Sequence, residues 1–524
     1  MLWRPVDYVS NGDKYSNTLS LLFFIRSAPG DAFSSTLNRG QPVSQIHFTD
    51  AAASNRTDEA GQAVRDASAG GMFPGLVDGI PFILGDDGAY DIQLNRFFRE
   101  CPSMGVRSVN SVRAYAHDLL TWLRFLAERR GGKSVWHADR QDIIAFHRAR
   151  RLTDGPGQIA GSSWNRSVTA LEKFYGWAWD EELIVSTPFA RGSAVTPSAP
   201  RHAQRRSRSF REPAARRHDM RFIGMDRFIL FRDVGLRAHL PDGTVDPAWR
   251  GQNGERDALF AEFLTATGLR LEEASSLLPS DLPRHDDPLL GDVRSCPVTL
   301  APAICKGGKG REIRIPRRLL RRIDDYMTIE RPNAVARWRA RRGWERMCEP
   351  VRLLELHGRS ATIDGGGERS TRRRLDVMRP RERGRLVLVG TDGVPAEPAA
   401  LWLADNGAPM RPAAWEAAFL RGDARCRARG LDLHVTPHML RHTFAVHMLS
   451  LLIQSQIGSV LDRGERHGAA YRRVIGDPLQ KLQRLLGHSS ITSTYIYLDS
   501  LEESRALVDA AAARWADDLE AAAP

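Results

Sequence analysis

The chain is poor in cysteine, and its cysteines form no pattern. The five present, Cys101, Cys296, Cys305, Cys348 and Cys426, are scattered, odd in number and without a CxxC pair. This argues against a disulfide framework or a zinc ribbon and fits a reducing compartment. The apolar run near the start, Leu19–Ile25, is closed by Arg26 and falls far short of the roughly 20 residues that a membrane span requires. The opening Met-Leu-Trp-Arg-Pro-Val-Asp lacks a signal-peptide layout. A soluble, cytoplasmic protein is expected. Neither a GxxxxGK[ST] loop nor an HExxH pair occurs, so no nucleotide cofactor and no metal is expected.

What the chain has in excess is positive charge. Lys and Arg total 75 against 63 Asp and Glu, a formal net charge of +12. That balance suits a polyanionic partner such as nucleic acid. At 524 residues the chain is too long for one ordinary core, and two or three domains are expected.

Residues 1–85 mix a short apolar run with a polar stretch and are expected to form an extension, partly ordered at best. Residues 86–190 have helical periodicity. Leu94, Phe97 and Phe98 share a face, and Val112, Tyr115, Leu119, Leu120, Leu123 and Leu126 recur at spacings of three and four, with Ser111 as the expected N-cap. A second such segment runs from Trp164 to Trp179, carrying Val168, Leu171, Phe174 and Tyr175. Residues 191–221 contain prolines and, from Arg201 to Arg221, eight arginines opposed by Glu212 and Asp219. This segment is expected to be a linker that touches a phosphate backbone, through Arg201, Arg205, Arg206 and Arg208 among others.

Residues 222–500 are expected to form a larger domain: helices around a β-hairpin at Val298–Pro316, whose turn holds Gly307, Gly308 and Gly310. Two stretches resemble insertions. One is the Arg-rich, Gly-interrupted segment near 333–385. The other lies near 453–477, where Gly458, Gly464, Gly468 and Gly476 interrupt the helical pattern. Residues 501–524 are expected to form an acidic helix.

Five short patterns follow in order. Thr267-Gly268-Leu269-Arg270 precedes Glu273. Lys306-Gly307-Gly308-Lys309-Gly310-Arg311 forms a cationic, Gly-rich turn. His438-Met439-Leu440-Arg441-His442 places His438 and Arg441 on one helical face. Leu486-Gly487-His488 comes next, and Tyr497 stands nine residues after His488, with Tyr495 two before it. Each pattern alone is weak. His438 and His442, four apart, also have zinc-ligand spacing, but no HExxH accompanies them.

Taken in order, these motifs resemble the tyrosine recombinase (phage integrase) family, over about residues 85–500. The family's Arg and following Glu match Arg270 and Glu273. Its hairpin Lys matches Lys306, its HxxR pair His438 and Arg441, its His after Leu-Gly His488, and its nucleophile Tyr497. Ser111-Val112-Arg113-Ala114-Tyr115 and Leu171-Glu172-Lys173-Phe174-Tyr175 look like the family's core-binding domain. One departure is plain: His488 lies 47 residues after Arg441, about twice the family's usual interval.

The resemblance implies a mainly α fold with a small β-hairpin or sheet. A helical, SAM-like core-binding domain at 86–190 and an α+β catalytic domain at 222–500 would together make a C-shaped DNA clamp. It implies site-specific cleavage and rejoining of DNA through a 3′-phosphotyrosine. In that chemistry Arg270 and Arg441 grip the phosphate, His488 donates to it, His438 accepts the tyrosine proton and Lys306 protonates the leaving oxygen. Lys309 and Arg311 would add phosphate contacts. The implied partners are duplex DNA at a specific site, further copies of the chain in a dimer-to-tetramer synapse, and accessory DNA-bending or partner recombinase proteins, without a membrane. The acidic tail would dock on a neighbouring copy. Nucleoid association follows. The alternatives are a type IB topoisomerase, which relaxes plasmids without sequence preference, a protelomerase, and a DNA-binding protein without catalysis, which forms no covalent adduct.

Overall fold

The computed structural model describes residues 45–49, 79–85, 89–106, 108–155, 157–189, 210–212, 221–365, 370–461 and 477–498. The chain divides into two compact units, Met1–Arg216 and Arg217–Pro524.

In the first unit, strands β1 (Gln45–Phe48) and β2 (Pro81–Leu84) pair antiparallel. Four helices follow: α1 (Ile92–Glu100), α2 (Val109–Arg129), α3 (Arg140–His147) and α4 (Gly161–Asp180). The apolar periodicity of the sequence is the core. Phe97, Phe98, Val112, Leu119, Leu126, Leu171 and Phe174 all lie within it. Two aromatic polar groups that enter the core find partners, as burial demands. The Trp122 indole donates to the Tyr175 hydroxyl at 2.8 Å, and that hydroxyl donates to the Val135 carbonyl at 3.0 Å.

Three expectations need correction here. Part of the 1–85 extension belongs to this unit. Ile80 and Ile83 are buried in its core, and the Asn95 side chain accepts from Ile83 N at 2.7 Å and donates to Ile83 O at 2.9 Å. The N-cap of α2 is Ser108; Ser111 lies in the first turn. The end of the linker is pinned: Phe210 O accepts from the Trp164 indole at 2.7 Å, and Glu212 pairs with Arg151 at 2.8 Å. The linker arginines Arg201, Arg205, Arg206 and Arg208 lie outside the described residues, as do residues 499–524 with the acidic helix expected there.

The second unit starts with α5 (Met225–Leu230), α6 (Gly254–Thr267) and α7 (Leu271–Ser275). Strands β3 (Ser295–Thr299) and β4 (Glu312–Pro316) form the expected hairpin, with Val298 opposite Ile313. Its connection is a long loop. After α8 (Arg317–Ile329) and α9 (Arg331–Ala340) come β5 (Val351–His357), β6 (Ser360–Asp364), β7 (Ser370–Arg374), α10 (Pro380–Arg383), β8 (Leu386–Val389) and β9 (Pro395–Pro398). The five strands make one sheet, in the order β7-β6-β5-β8-β9. The segment near 333–385 is thus a folded layer with its own small core of Leu353, Ala361, Ile363, Leu375 and Leu386.

Helices α11 (Pro412–Ala428), α12 (Pro437–Leu461), α13 (Pro478–Leu486) and α14 (Thr492–Tyr495) complete the unit. Gly458 does not end the helical pattern; α12 continues through it to Leu461. Residues 462–476, most of the expected second insertion, lie outside the described residues. The main core stacks Phe260 on Trp415 with Trp402 edge-on to both. A separate cluster of Phe444, Val446, Leu449, Leu482, Leu486 and Tyr497 joins α12 to α13 and the C-terminal segment. No described helix is long and apolar enough to cross a membrane.

Candidate active site

Two helix ends and two helix starts build the site. Helix α6 terminates at Gly268, which adopts φ +63°, a left-handed conformation that is cheap only for glycine. A Cβ there would lie 2.2 Å from the Phe444 ring. The turn delivers Arg270 to the start of α7. There Glu273 caps the helix by accepting from Arg270 N at 2.9 Å, while its other oxygen accepts from the Arg270 guanidinium at 2.9 Å.

Glu273 is only 1% exposed, so its charge needs compensation beyond Arg270. Arg311, from the hairpin, supplies it with two bonds of 2.9 and 2.6 Å. Burial alone would raise the Glu273 carboxyl; hydrogen bonding and charge from Arg311, followed by Arg270, hold it below the ordinary carboxylate range. Arg311 also donates to Leu485 O at 2.9 Å, which ties the hairpin to the end of α13. This corrects the expectation for Arg311. Its guanidinium is committed to the protein interior, with a side chain 7% exposed, and is not offered to DNA.

Helix α13 ends at Gly487, at φ +64°. A Cβ on this residue would meet Arg311 Cδ at 2.7 Å. The carbonyls around this end are gripped by both candidate clamp arginines. Arg441 donates to Leu486 O at 2.7 Å and also to Gly268 O, and Arg270 reaches Gly487 O at 3.4 Å. Arg441 is buried. Its guanidinium is shifted down to about 10, by burial first and then by repulsion from Arg270.

His488 follows Gly487. Its Nδ1 lies 3.0 Å from Thr494 Oγ1, and its ring stacks on Tyr497 with centroids 6.2 Å apart. Burial, then Arg441 and Arg270, push His488 down to about 4, so it is neutral at physiological pH. His438, at the start of α12, is also lowered, by desolvation and the same two arginines. Tyr497 is 1% exposed. Burial raises its hydroxyl, and Arg441 and Arg270 oppose the shift. Tyr495, the neighbouring candidate, is 49% exposed.

The structure therefore brings Arg270, His438, Arg441, His488 and Tyr497 into one electrostatically coupled group. Lys306 and Lys309 stand apart on the exposed hairpin loop, where Gly307 and Gly308 take positive φ. Two residues assume larger parts than the sequence indicates. Arg311 is one. The other is His442, whose Nδ1 lies 3.1 Å from the Tyr497 hydroxyl. The ring of His438 instead packs edge-on against His442, with centroids 4.4 Å apart. The i, i+4 spacing of the two histidines was the visible signal.

Residues 94–182 match the family model described as the phage integrase N-terminal SAM-like domain. The chain is 24% identical over 393 residues to tyrosine recombinase XerD of Mycobacterium leprae (strain TN), covering 74% of this chain and 86% of that protein. It is also 24% identical over 408 residues to tyrosine recombinase XerC of Roseiflexus sp. (strain RS-1), covering 77% and 88%. Over about three quarters of its length the chain is thus similar to proteins named tyrosine recombinases. A solved structure of the XerH site-specific recombinase bound to palindromic difH substrate, a post-cleavage complex, is 14% identical, with a TM-score of 0.41 over 82% of this chain and 86% of that one.

Gly487→Ala is a sensitive probe of the site. The substitution strains a left-handed residue and crowds Arg311. It is expected to cost about 1–2 kcal/mol, read as a lower thermal midpoint, and to slow DNA cleavage by displacing His488. Unchanged midpoint and cleavage would show that the α13 end does not position the site.

Proposed function

We propose that this chain is a tyrosine recombinase, which cuts and rejoins duplex DNA at a specific site through a covalent 3′-phosphotyrosine on Tyr497. The observation that carries this reading is the packing of Tyr497 against His442 and His488 within the field of Arg270 and Arg441.

Phosphoryl transfer gathers negative charge on the phosphate oxygens, so cationic donors fixed in advance lower its barrier. Arg270 and Arg441 supply planar guanidinium donors, charged at neutral pH. Their orientation is set by Glu273 and by backbone carbonyls, so little reorganisation remains for the reaction step. His488, neutral at physiological pH, donates through Nε2–H when Thr494 donates to its Nδ1. His438, facing the same arginines, orients the phosphate. Lys306, on its glycine-flanked loop, gives a proton to the leaving 5′ oxygen. The phosphotyrosine ester retains the bond energy of the phosphodiester, so rejoining needs no ATP, and the guanidinium pair meets the charge a metal would otherwise meet.

The helical unit, residues 86–190, together with the linker arginines and the catalytic unit from residue 222, would hold the duplex mostly through phosphates. Affinity should then fall steeply with salt. Two to four copies of the chain would synapse two sites, with accessory proteins directing the outcome. The test is to sequence DNA ends covalently trapped on the protein from host genomic DNA. One recurrent sequence, with protein attached at 3′ ends, is expected. Scattered ends accompanied by relaxation of any supercoiled plasmid would replace the recombinase reading with a topoisomerase, and absence of any adduct would refute catalysis.

A further inference from the structure

We propose that His442 is a catalytic residue: it takes the proton from the Tyr497 hydroxyl during cleavage and returns it during rejoining. This rests on the reading of Tyr497 as nucleophile and assigns its base. Tyr497 Oη and His442 Nδ1 are 3.1 Å apart, the distance for direct proton transfer. Both residues are held from behind. His442 lies one helical turn beyond His438 on α12, and Tyr497 is locked into the apolar cluster of Phe444, Leu449, Leu482 and Leu486. The contact spans 55 residues of sequence, so it is made by the packing of the C-terminal segment on α12.

The step balances. As the phosphorus–Oη bond forms, the Oη–H proton passes to Nδ1 of His442. The bond from phosphorus to the 5′ oxygen breaks, and that oxygen takes a proton from Lys306. In rejoining, the 5′ hydroxyl attacks phosphorus and its proton returns to Lys306, while His442 reprotonates the departing tyrosine oxygen. The groups around His442 suit this cycle. Arg441 on its own helix and Arg270 beside Tyr497 make a positive surround, with the His438 and His488 rings, both shifted down by burial and then by those arginines, packed against His442 and Tyr497. That surround opposes the upward push of burial on the Tyr497 hydroxyl.

The test is single-turnover adduct formation on two duplex substrates, one with the normal phosphodiester and one with sulfur replacing the bridging 5′ oxygen. A sulfur leaving group departs without a proton, so it bypasses Lys306 but not the base. His442→Asn, which keeps a polar atom near Nδ1 without basicity, is expected to slow adduct formation by about 10² or more on both substrates. Its rate should rise with pH toward the tyrosine range, where the hydroxyl ionises unaided. Lys306→Ala is expected to be slow on the normal substrate and restored on the sulfur one. His442→Gln provides a second variant of near-native length, with the same expectation. Rescue of the His442 variants by sulfur, or cleavage at or above the wild-type rate, would overturn the assignment. Failure of the wild-type chain to form any adduct would instead overturn the nucleophile reading on which it rests.

Discussion

Tyr497→Phe is expected to yield no covalent protein–DNA adduct on a suicide substrate, whereas Tyr495→Phe continues to form it. The difference follows from position. The Tyr497 hydroxyl lies beside His442 and in the field of two arginines, while Tyr495 is half exposed. A phenol with an ordinary value near 10 is a poor nucleophile at neutral pH without such a surround, so the neighbour cannot substitute for it. The variant should still fold, because phenylalanine fills the same apolar cluster and gives up one hydrogen bond, worth about 1 kcal/mol. DNA binding should persist for the same reason, since the clamp arginines are untouched. Adduct formation that survives in Tyr497→Phe and vanishes in Tyr495→Phe would transfer the role to Tyr495.

Arg311→Met is expected to be the most destabilising single change near the site. It removes both Arg311 bonds to Glu273 and leaves a carboxylate that is 1% exposed with Arg270 as its remaining cation. Breaking one partner of a buried pair typically costs about 3–5 kcal/mol. For a unit of this size the fall in thermal midpoint should be on the order of 10 °C. It also frees the Leu485 carbonyl and with it the end of α13, so cleavage should fail even where the chain remains folded.

The pH dependence has a definite sign. In the wild-type chain Glu273 is held below its ordinary value. Its contribution to stability is therefore present above the carboxylate range and is lost as pH falls through the folded value. In Arg311→Met the buried charge becomes a cost that protonation relieves, so the gap between the two proteins should narrow as pH falls through the carboxylate range. A double change, Arg311→Met with Glu273→Leu, should recover part of the stability without recovering activity. A midpoint unchanged by Arg311→Met would show that the Glu273 pair does not organise the site.

These residues also mark where the sequence was readable. Val112, Leu119, Leu171 and Phe174 repeat every three to four residues, and that period is a local property, so helices α2 and α4 were visible. The order of Arg270, Lys306, His438, Arg441, His488 and Tyr497 was visible too. Contacts between distant segments were not. Arg311 shows its positive charge in the sequence, but its partner Glu273 stands 38 residues away, so it looked like one more phosphate ligand. His442 was noticed for its spacing from His438, while the tyrosine it meets is 55 residues on.

The five-stranded sheet was missed for a different reason. Strand β7 is Ser-Thr-Arg-Arg-Arg and exposed throughout, and β9 begins and ends in proline, so neither carries the apolar alternation that identifies a strand. Their pairing is set by β6 and β8, whose Ala361, Ile363, Leu386 and Val387 are buried. Ser108 displaced Ser111 as the cap of α2 because two serines precede the same apolar run and only backbone geometry distinguishes them.

The most direct measurement is peptide mapping of the covalent adduct. The chain is trapped on a nicked suicide duplex carrying its recovered site, digested with protease and nuclease, and the nucleotide-bearing peptide is fragmented. The account predicts a single modified residue, Tyr497, linked to a 3′ phosphate. A nucleotide on any other side chain, or linkage through a 5′ phosphate, would contradict it.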